Sequence, residues 1–227
     1  MDGKKIPQVA IIDYEMGNLF SVKRALENAG LNYFVTSEAS SILASDAAIL
    51  PGVGAFGDAM KNLSKYDLIY PVRDYIASGR PFMGVCLGMQ LLMDESEEFG
   101  AHKGIGIFDG SVVRLAPLEN RSFKIPQVGW NSIYPPADRE ELWNDPSSPL
   151  KNIKNGEYMY FVHSFCCLLR EADSVHSLTN YEGVQYCSSV LKKNVFACQF
   201  HPEKSAAMGL EIYSRWAEII RNSGGIK

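Results

Sequence analysis

The stretch Phe82-Met83-Gly84-Val85-Cys86-Leu87-Gly88 decides the fold. Its run of apolar and small residues up to Cys86 reads as a strand over 82–86, covered on both faces. The chain then enters Met89-Gln90-Leu91-Leu92-Met93, which reads as the start of a helix over 89–98. Gly-x-Cys-x-Gly at a strand-to-helix joint is the cysteine form of a nucleophile elbow. Such a turn lifts the side chain above the carboxyl edge of a sheet. The flanking glycines remove Cβ atoms that would strike the neighbouring strand and helix. The helix that follows turns free N–H groups and its positive dipole end toward the sulfur, which favours thiolate.

Outward from the elbow, strand and helix signals alternate. Residues 9–13 read as a buried strand, and Gly17-Asn18 can open and cap a helix carrying Leu19, Val22, Leu26 and Ala29 on one face, stopped by Gly30. Strands are expected over 33–35 and 47–50. Pro51-Gly52-Val53-Gly54 forms a tight loop before a helix over 56–63, and a helix through Ile69, Val72 and Ile76 ends at Gly79. This alternation predicts an α/β fold with a mostly parallel central sheet and helices on both faces. From 105 to 200 the strands shorten and are separated by turn-rich segments such as Pro135-Pro136, which predicts antiparallel additions to the sheet. A last amphipathic helix carries Leu210, Tyr213, Trp216 and Ile220. There is no repeat or linker, and 227 residues, 46% of them hydrophobic, suit one domain over 1–227.

Composition narrows the function classes. A net charge of -4 without a basic stripe argues against nucleic-acid binding. The apolar runs are strand-sized, too short for a bilayer. Met1-Asp2-Gly3-Lys4-Lys5 leads into a strand-like run with no signal-peptide core, so a cytoplasmic address is expected. The five cysteines (Cys86, Cys166, Cys167, Cys187, Cys198) are odd in number and loosely spaced, unlike a disulfide framework or a zinc knuckle. The four histidines are scattered, and no metal site or cofactor is expected.

An elbow cysteine needs an oxyanion hole, a proton shuttle and a group that orients the shuttle. The N–H of Leu87 is one expected oxyanion donor, and the Gly52-Val53-Gly54 loop, at the end of a neighbouring strand, can bring a second. Phe200-His201-Pro202-Glu203 follows an apolar strand over 195–199. His201 and Glu203, two apart in extended chain, can face the same side. His163 reads as a hydrogen-bonding residue within a sheet; His102 and His176 read as loop residues without partners. Cys166, Cys167, Cys187 and Cys198 read as bystanders, and Met89, Leu91, Leu92 and Met93 as helix-to-sheet packing.

The blocks Gly84-Val85-Cys86-Leu87-Gly88-Met89-Gln90-Leu91-Leu92 and Gln199-Phe200-His201-Pro202-Glu203-Lys204-Ser205 resemble class I (triad) glutamine amidotransferases. More narrowly, with Gly17-Asn18-Leu19, Leu50-Pro51-Gly52-Val53-Gly54-Ala55-Phe56, Gly129-Trp130-Asn131 and Tyr160-Phe161-Val162-His163-Ser164, the chain is similar to glutaminase subunits of imidazole glycerol phosphate synthase. The resemblance implies a nucleophile at Cys86, with His201 and Glu203 completing a triad that hydrolyses L-glutamine through a thioester. It implies oxyanion donors at Val53 and Leu87, flanked by Gly52 and Gly54, and a hold on the amino-acid end of glutamine by Gln90, Ser164 and Phe165. It implies a heterodimer with a (β/α)8-barrel cyclase that receives the ammonia, with Trp130, Asn131 and Lys204 at the interface and an oxyanion loop often unready until the cyclase is liganded. Pro126-Gln127 stands where the family usually has Pro-His, a departure that bears on the partner. Paralogues that feed amidine formation on surface sugars, a stand-alone cysteine hydrolase and a non-catalytic subunit are the competing readings.

Overall fold

Strand β1 (Gln8–Ile12) pairs in parallel with β2 (Asn32–Thr36) on one side and β3 (Ala47–Gly52) on the other. Its residues 9–12 are therefore fully buried, as an all-apolar run requires. The structure, a computed structural model, describes residues 6–117 and 122–223; the 1–5 stretch behind the expected cytoplasmic address lies outside them. Helix α1 (Leu19–Asn28) buries Val22, Ala25 and Leu26 and is followed by Gly30 at φ 66°. Asn18 does sit at its N-cap, but its amide donates to Ser21 Oγ (3.3 Å) and does not cap a backbone N–H. Helices α2 (Ala39–Ala44), α3 (Phe56–Lys65) and α4 (Ile69–Ala77) precede β4 (Phe82–Cys86).

Beyond the elbow the chain departs from the helix expected over 89–98. Helix α5 (Leu87–Leu91) is only five residues long, and β5 (Met93–Ser96) follows it. The apolar run 91–93, which imitates a helix face, is buried on all sides. Its carbonyls are claimed from elsewhere: Leu91 O accepts from Ile105 N (2.8 Å), Leu92 O from Ile107 N (2.8 Å) and Met93 O from Gly106 N (3.1 Å). Those distant donors displace the i→i+4 bonds a longer helix would make. Strand β5 then pairs with β6 (His102–Lys103) and β7 (Phe108–Arg114).

The expected antiparallel additions are β10 (Phe165–Leu169), β11 (Val175–Tyr181), β12 (Val184–Lys192) and a separate ribbon of β8 (Gln127–Ser132) with β9 (Tyr158–His163). Strand β13 (Val195–Cys198) returns to the parallel part, and α6 (Ala206–Ser223) closes the fold. The main sheet runs β2-β1-β3-β4-β13-β12-β10-β7-β5-β6, with β11 paired to β12. One face packs Val9, Ile11, Met83 and Phe196 with α1 and with Tyr213 and Trp216 of α6; the other packs Ala10, Ile12, Phe82 and Ala197 with α3 and α4. The alternation of side chains along each strand separates the two cores. The α/β expectation holds. Among the described residues no helix is long and apolar enough to cross a membrane.

His176 is not the partnerless loop residue its sequence suggests. It lies on β11, buried, with Nε2 2.8 Å from Ser148 Oγ, and its carbonyl accepts from the Trp143 indole at 2.7 Å. His102, likewise expected in a loop, lies on β6 with its ring against the backbone of Gly57. Burial lowers the His176 pKa to about 4. The unfolded chain, with an ordinary histidine near 6.5, therefore binds the extra proton between those limits. Its contribution to stability is complete above 6.5 and is lost as pH falls toward about 4. Urea midpoints should fall between neutral pH and pH 5, and His176→Gln should remove about 1–2 kcal/mol of that fall.

Candidate active site

Three parallel strands end side by side, β3 against β4 and β4 against β13. Gly52 is the register partner of Cys86, and Val85 that of Cys198, so the loops after all three strands open at one sheet edge. This is the edge where open α/β sheets bind ligands. Cys86 holds the elbow at φ 55° and ψ -109°, a costly conformation for a residue with a Cβ. Close packing enforces it. A Cβ on Gly88 would lie 1.9 Å from the carbonyl oxygen of Leu50, and one on Gly84 3.0 Å from the Cβ of Ala197.

His201 and Glu203 lie on the turn after β13, which becomes a 3-10 turn at Pro202–Lys204. Both side chains are only 2% exposed, and Nδ1 of His201 lies 2.7 Å from Oε1 of Glu203. Burial opposes the charged ring, but the Cys86 sulfur and the Glu203 carboxylate outweigh it and raise the His201 pKa to about 10. Among the described residues Nε2 has no hydrogen-bond partner. The ring is thus oriented on one side by Glu203 and left free on the other for chemistry beside the sulfur. The backbone N–H of His201 donates to Tyr160 O on β9 (2.9 Å), so the ribbon roofs the site.

A cavity of about 300 Å³ opens here, at the small end of ligand sites (roughly 300–1,000 Å³). Val53, Gly54, Cys86, Leu87, Gln90, Ser164, Phe165 and His201 line it, so all the expected substrate contacts but Gly52 reach its wall. Gly52 lies behind it, where a Cβ would come within 2.3 Å of the Tyr14 hydroxyl. Leu87 is the first residue of α5, where an N–H has no partner within the helix. The N–H of Val53, an expected oxyanion donor in a loop expected to be unready without the partner, donates to Met16 O at 3.1 Å. The loop after β1 captures this N–H.

Glu98, Tyr14 and Gln199 escaped the sequence reading of the site. Glu98 lines the cavity and accepts from Phe56 N at 2.7 Å. The Tyr14 hydroxyl donates to Pro51 O (2.9 Å), beside the oxyanion loop. Gln199 Nε2 lies 3.7 Å from the Cys86 sulfur, and its position two residues before His201 is the one signal that could have flagged it. His163 bonds Phe165 O through Nδ1 (2.9 Å) and the Tyr186 hydroxyl through Nε2 (3.1 Å). The other four cysteines are buried free thiols. Among the described residues no cluster of three His, Cys, Asp or Glu is placed to hold a metal.

On the ribbon, Trp130 stands half-exposed with its ring edge-on to Tyr160 (6.1 Å between centroids), and Asn131 donates to Asn180 O (2.9 Å). Lys204 is exposed next to the triad turn.

An elbow cysteine and a carboxylate-oriented imidazole, set in a small and mostly apolar cavity at the carboxyl edge of an α/β sheet, are the machinery of a triad thiol hydrolase of the amidotransferase type. The family model of class-I glutamine amidotransferases matches residues 10–215, and the chain belongs to that family. It is 44% identical to imidazole glycerol phosphate synthase subunit HisH of Rhodopirellula baltica, over 92% of this chain and 96% of that protein. It is 46% identical to the subunit of the same name from Caldanaerobacter subterraneus subsp. tengcongensis, over 94% and 98%. Within the class-I family, the chain groups with the HisH subunits. A solved glutamine amidotransferase shares the fold at a TM-score of 0.67 and 17% identity, over 93% of this chain and 98% of that one.

If Glu203 holds His201 in its charged, oriented state, Glu203→Gln should lower the imidazole pKa from about 10, read by NMR of the ring protons. The same change should cut glutamine hydrolysis by about 10²–10⁴-fold.

Proposed function

We infer that this chain is the glutaminase subunit of an imidazole glycerol phosphate synthase, supplying ammonia for histidine biosynthesis. The observation that carries the chemistry is the buried His201–Glu203 pair at 2.7 Å, set beside the elbow cysteine. The full-length likeness to HisH subunits favours the histidine pathway over a surface-sugar amidine pathway. We treat 1–227 as one glutamine amidotransferase domain in the cytoplasm, where free thiols such as these persist.

The reaction follows from the site. Cys86 Sγ attacks the side-chain amide carbon of glutamine, and the oxyanion is met by the Leu87 N–H and a second loop donor. His201 Nε2 gives its proton to the departing ammonia, leaving a γ-glutamyl thioester on Cys86. The ring then takes a proton from water as it attacks the thioester, and glutamate leaves. The Glu98 carboxylate in the cavity wall suits the substrate's α-ammonium group.

The partner is a (β/α)8-barrel cyclase. Val128 (56% exposed), Trp130 (52%) and Tyr158 (57%) form an apolar patch on the ribbon that roofs the site. With Asn131 and Lys204, this is the face we assign to docking, and ammonia released beneath it would pass directly to the partner. The Val53–Met16 bond supports a resting state: glutamine turnover stays slow until partner binding frees that N–H.

Two measurements test this reading. Cys86→Ala should abolish glutamine-dependent synthesis by the complex while synthesis from ammonium salts persists; loss of both would sink the nucleophile assignment. Glutamate release by the isolated chain should rise about 10²–10³-fold with the liganded cyclase, the range one oxyanion donor supplies. Equal turnover alone and in complex would remove the resting-state claim.

A further inference from the structure

Gln90 and Gln199 are almost completely buried beside Cys86. Their amides cannot be oriented by shape alone, since the oxygen and nitrogen ends are nearly alike in size. One neighbour settles the matter. The carbonyl oxygen of Phe165 can only accept, and it lies 3.0 Å from the amide of Gln90, so the atom facing it is Nε2. That same Nε2 lies 3.0 Å from the amide of Gln199, which must present its oxygen there. Gln199 is then left with Nε2 toward Cys86 Sγ, at 3.7 Å. A single backbone carbonyl thereby fixes a directional chain: Phe165 O, Gln90, Gln199, sulfur.

The consequence for Gln90 is specific. An amide nitrogen has two hydrogens, and both are engaged. Its free polar function is Oε1, on a side chain that lines the substrate cavity. An oxygen so presented accepts but cannot donate, which suits a substrate ammonium and not a carboxylate. Without Gln199, one hydrogen of Gln90 loses its acceptor and Phe165 O is left as the amide's single anchor, about which the side chain can swing. Phe165 O still holds Nε2, but Oε1 is no longer aimed at one point of the cavity, which weakens its bond to an ammonium there.

We propose that Gln199 is a positioning residue that locks the Gln90 amide with its oxygen toward the cavity, and so sets selectivity for the α-ammonium end of the substrate. The inference rests on the glutaminase reading. Gln199 does not line the cavity; it acts on selectivity through Gln90, and its own Nε2 faces the Cys86 sulfur at 3.7 Å.

The test uses the complete complex and compares glutamine with 4-carbamoylbutanoate, which has the same amide and carboxylate but no α-amino group. Gln199→Met should raise KM for glutamine about tenfold with a smaller change in kcat, and lower the kcat/KM preference for glutamine by about the same tenfold, the worth of one hydrogen bond to a charged group. Gln199→Glu keeps an oxygen that accepts from Gln90 Nε2, and should retain the preference. In Gln90→Met, adding Gln199→Met should lower the preference no further. A purely structural role would depress both substrates alike and leave the ratio fixed. An unchanged ratio in Gln199→Met, or equal loss of ratio in Gln199→Glu, overturns the proposal. Should Gln199→Met lack a cooperative melting transition, Gln199→Asn, whose oxygen falls short of Gln90, reads the same ratio. A wild-type complex that releases no glutamate from glutamine would instead refute the function assignment and leave the amide geometry untouched.

Discussion

Everything in this protein depends on three parallel strands that finish level with one another. Because Gly52 on β3 is in register with Cys86 on β4, and β4 with β13, three segments far apart in sequence open onto one edge. Parallel pairing makes this possible, since adjacent strands then deliver their carboxyl ends to the same side. The glycine at 88 is the tightest part of the arrangement, with its backbone against the Leu50 carbonyl. That contact ties the elbow to the strand that carries the oxyanion loop.

Burial pushes three histidines the same way, and their charged partners decide the outcome. His163 and His176 are both lowered to about 4, chiefly by desolvation, and so stay neutral and structural. His201 is also buried, yet sulfur and carboxylate neighbours push it up to about 10. Only the charged partners differ. A buried imidazole with compensating anions can hold a proton ready to give away, and one without them cannot. His163 still serves the site indirectly, because its Nδ1 shares the Phe165 carbonyl that orients Gln90.

The separate ribbon of β8 and β9 connects the catalytic edge to the outside. Its strand β9 supplies the Val162 carbonyl near Cys86 (4.0 Å) and the Tyr160 carbonyl bonded to the His201 backbone. Its outer side carries the exposed Val128 and Trp130. The two sets are cross-strand partners, Val128 opposite Val162 and Trp130 opposite Tyr160, so the exposed side chains and the carbonyls that meet the site belong to paired residues.

The amino-acid sequence by itself determined the parallel half of the fold, the strand at Phe82–Cys86 with its elbow, and the His201 and Glu203 pairing. These depend on neighbours in the chain: glycine spacing, an all-apolar strand, and the two-residue repeat of extended backbone. Tertiary structure decided the rest. Local pattern at 91–93 favoured helix, but N–H groups from 105–107 claimed those carbonyls and made a short helix and a strand. His176 found Ser148, Val53 found Met16, and Gln199 found both Gln90 and Cys86, all across long separations. A donor's availability is set by which acceptor folding brings within 3 Å of it or so, and no local pattern encodes that choice.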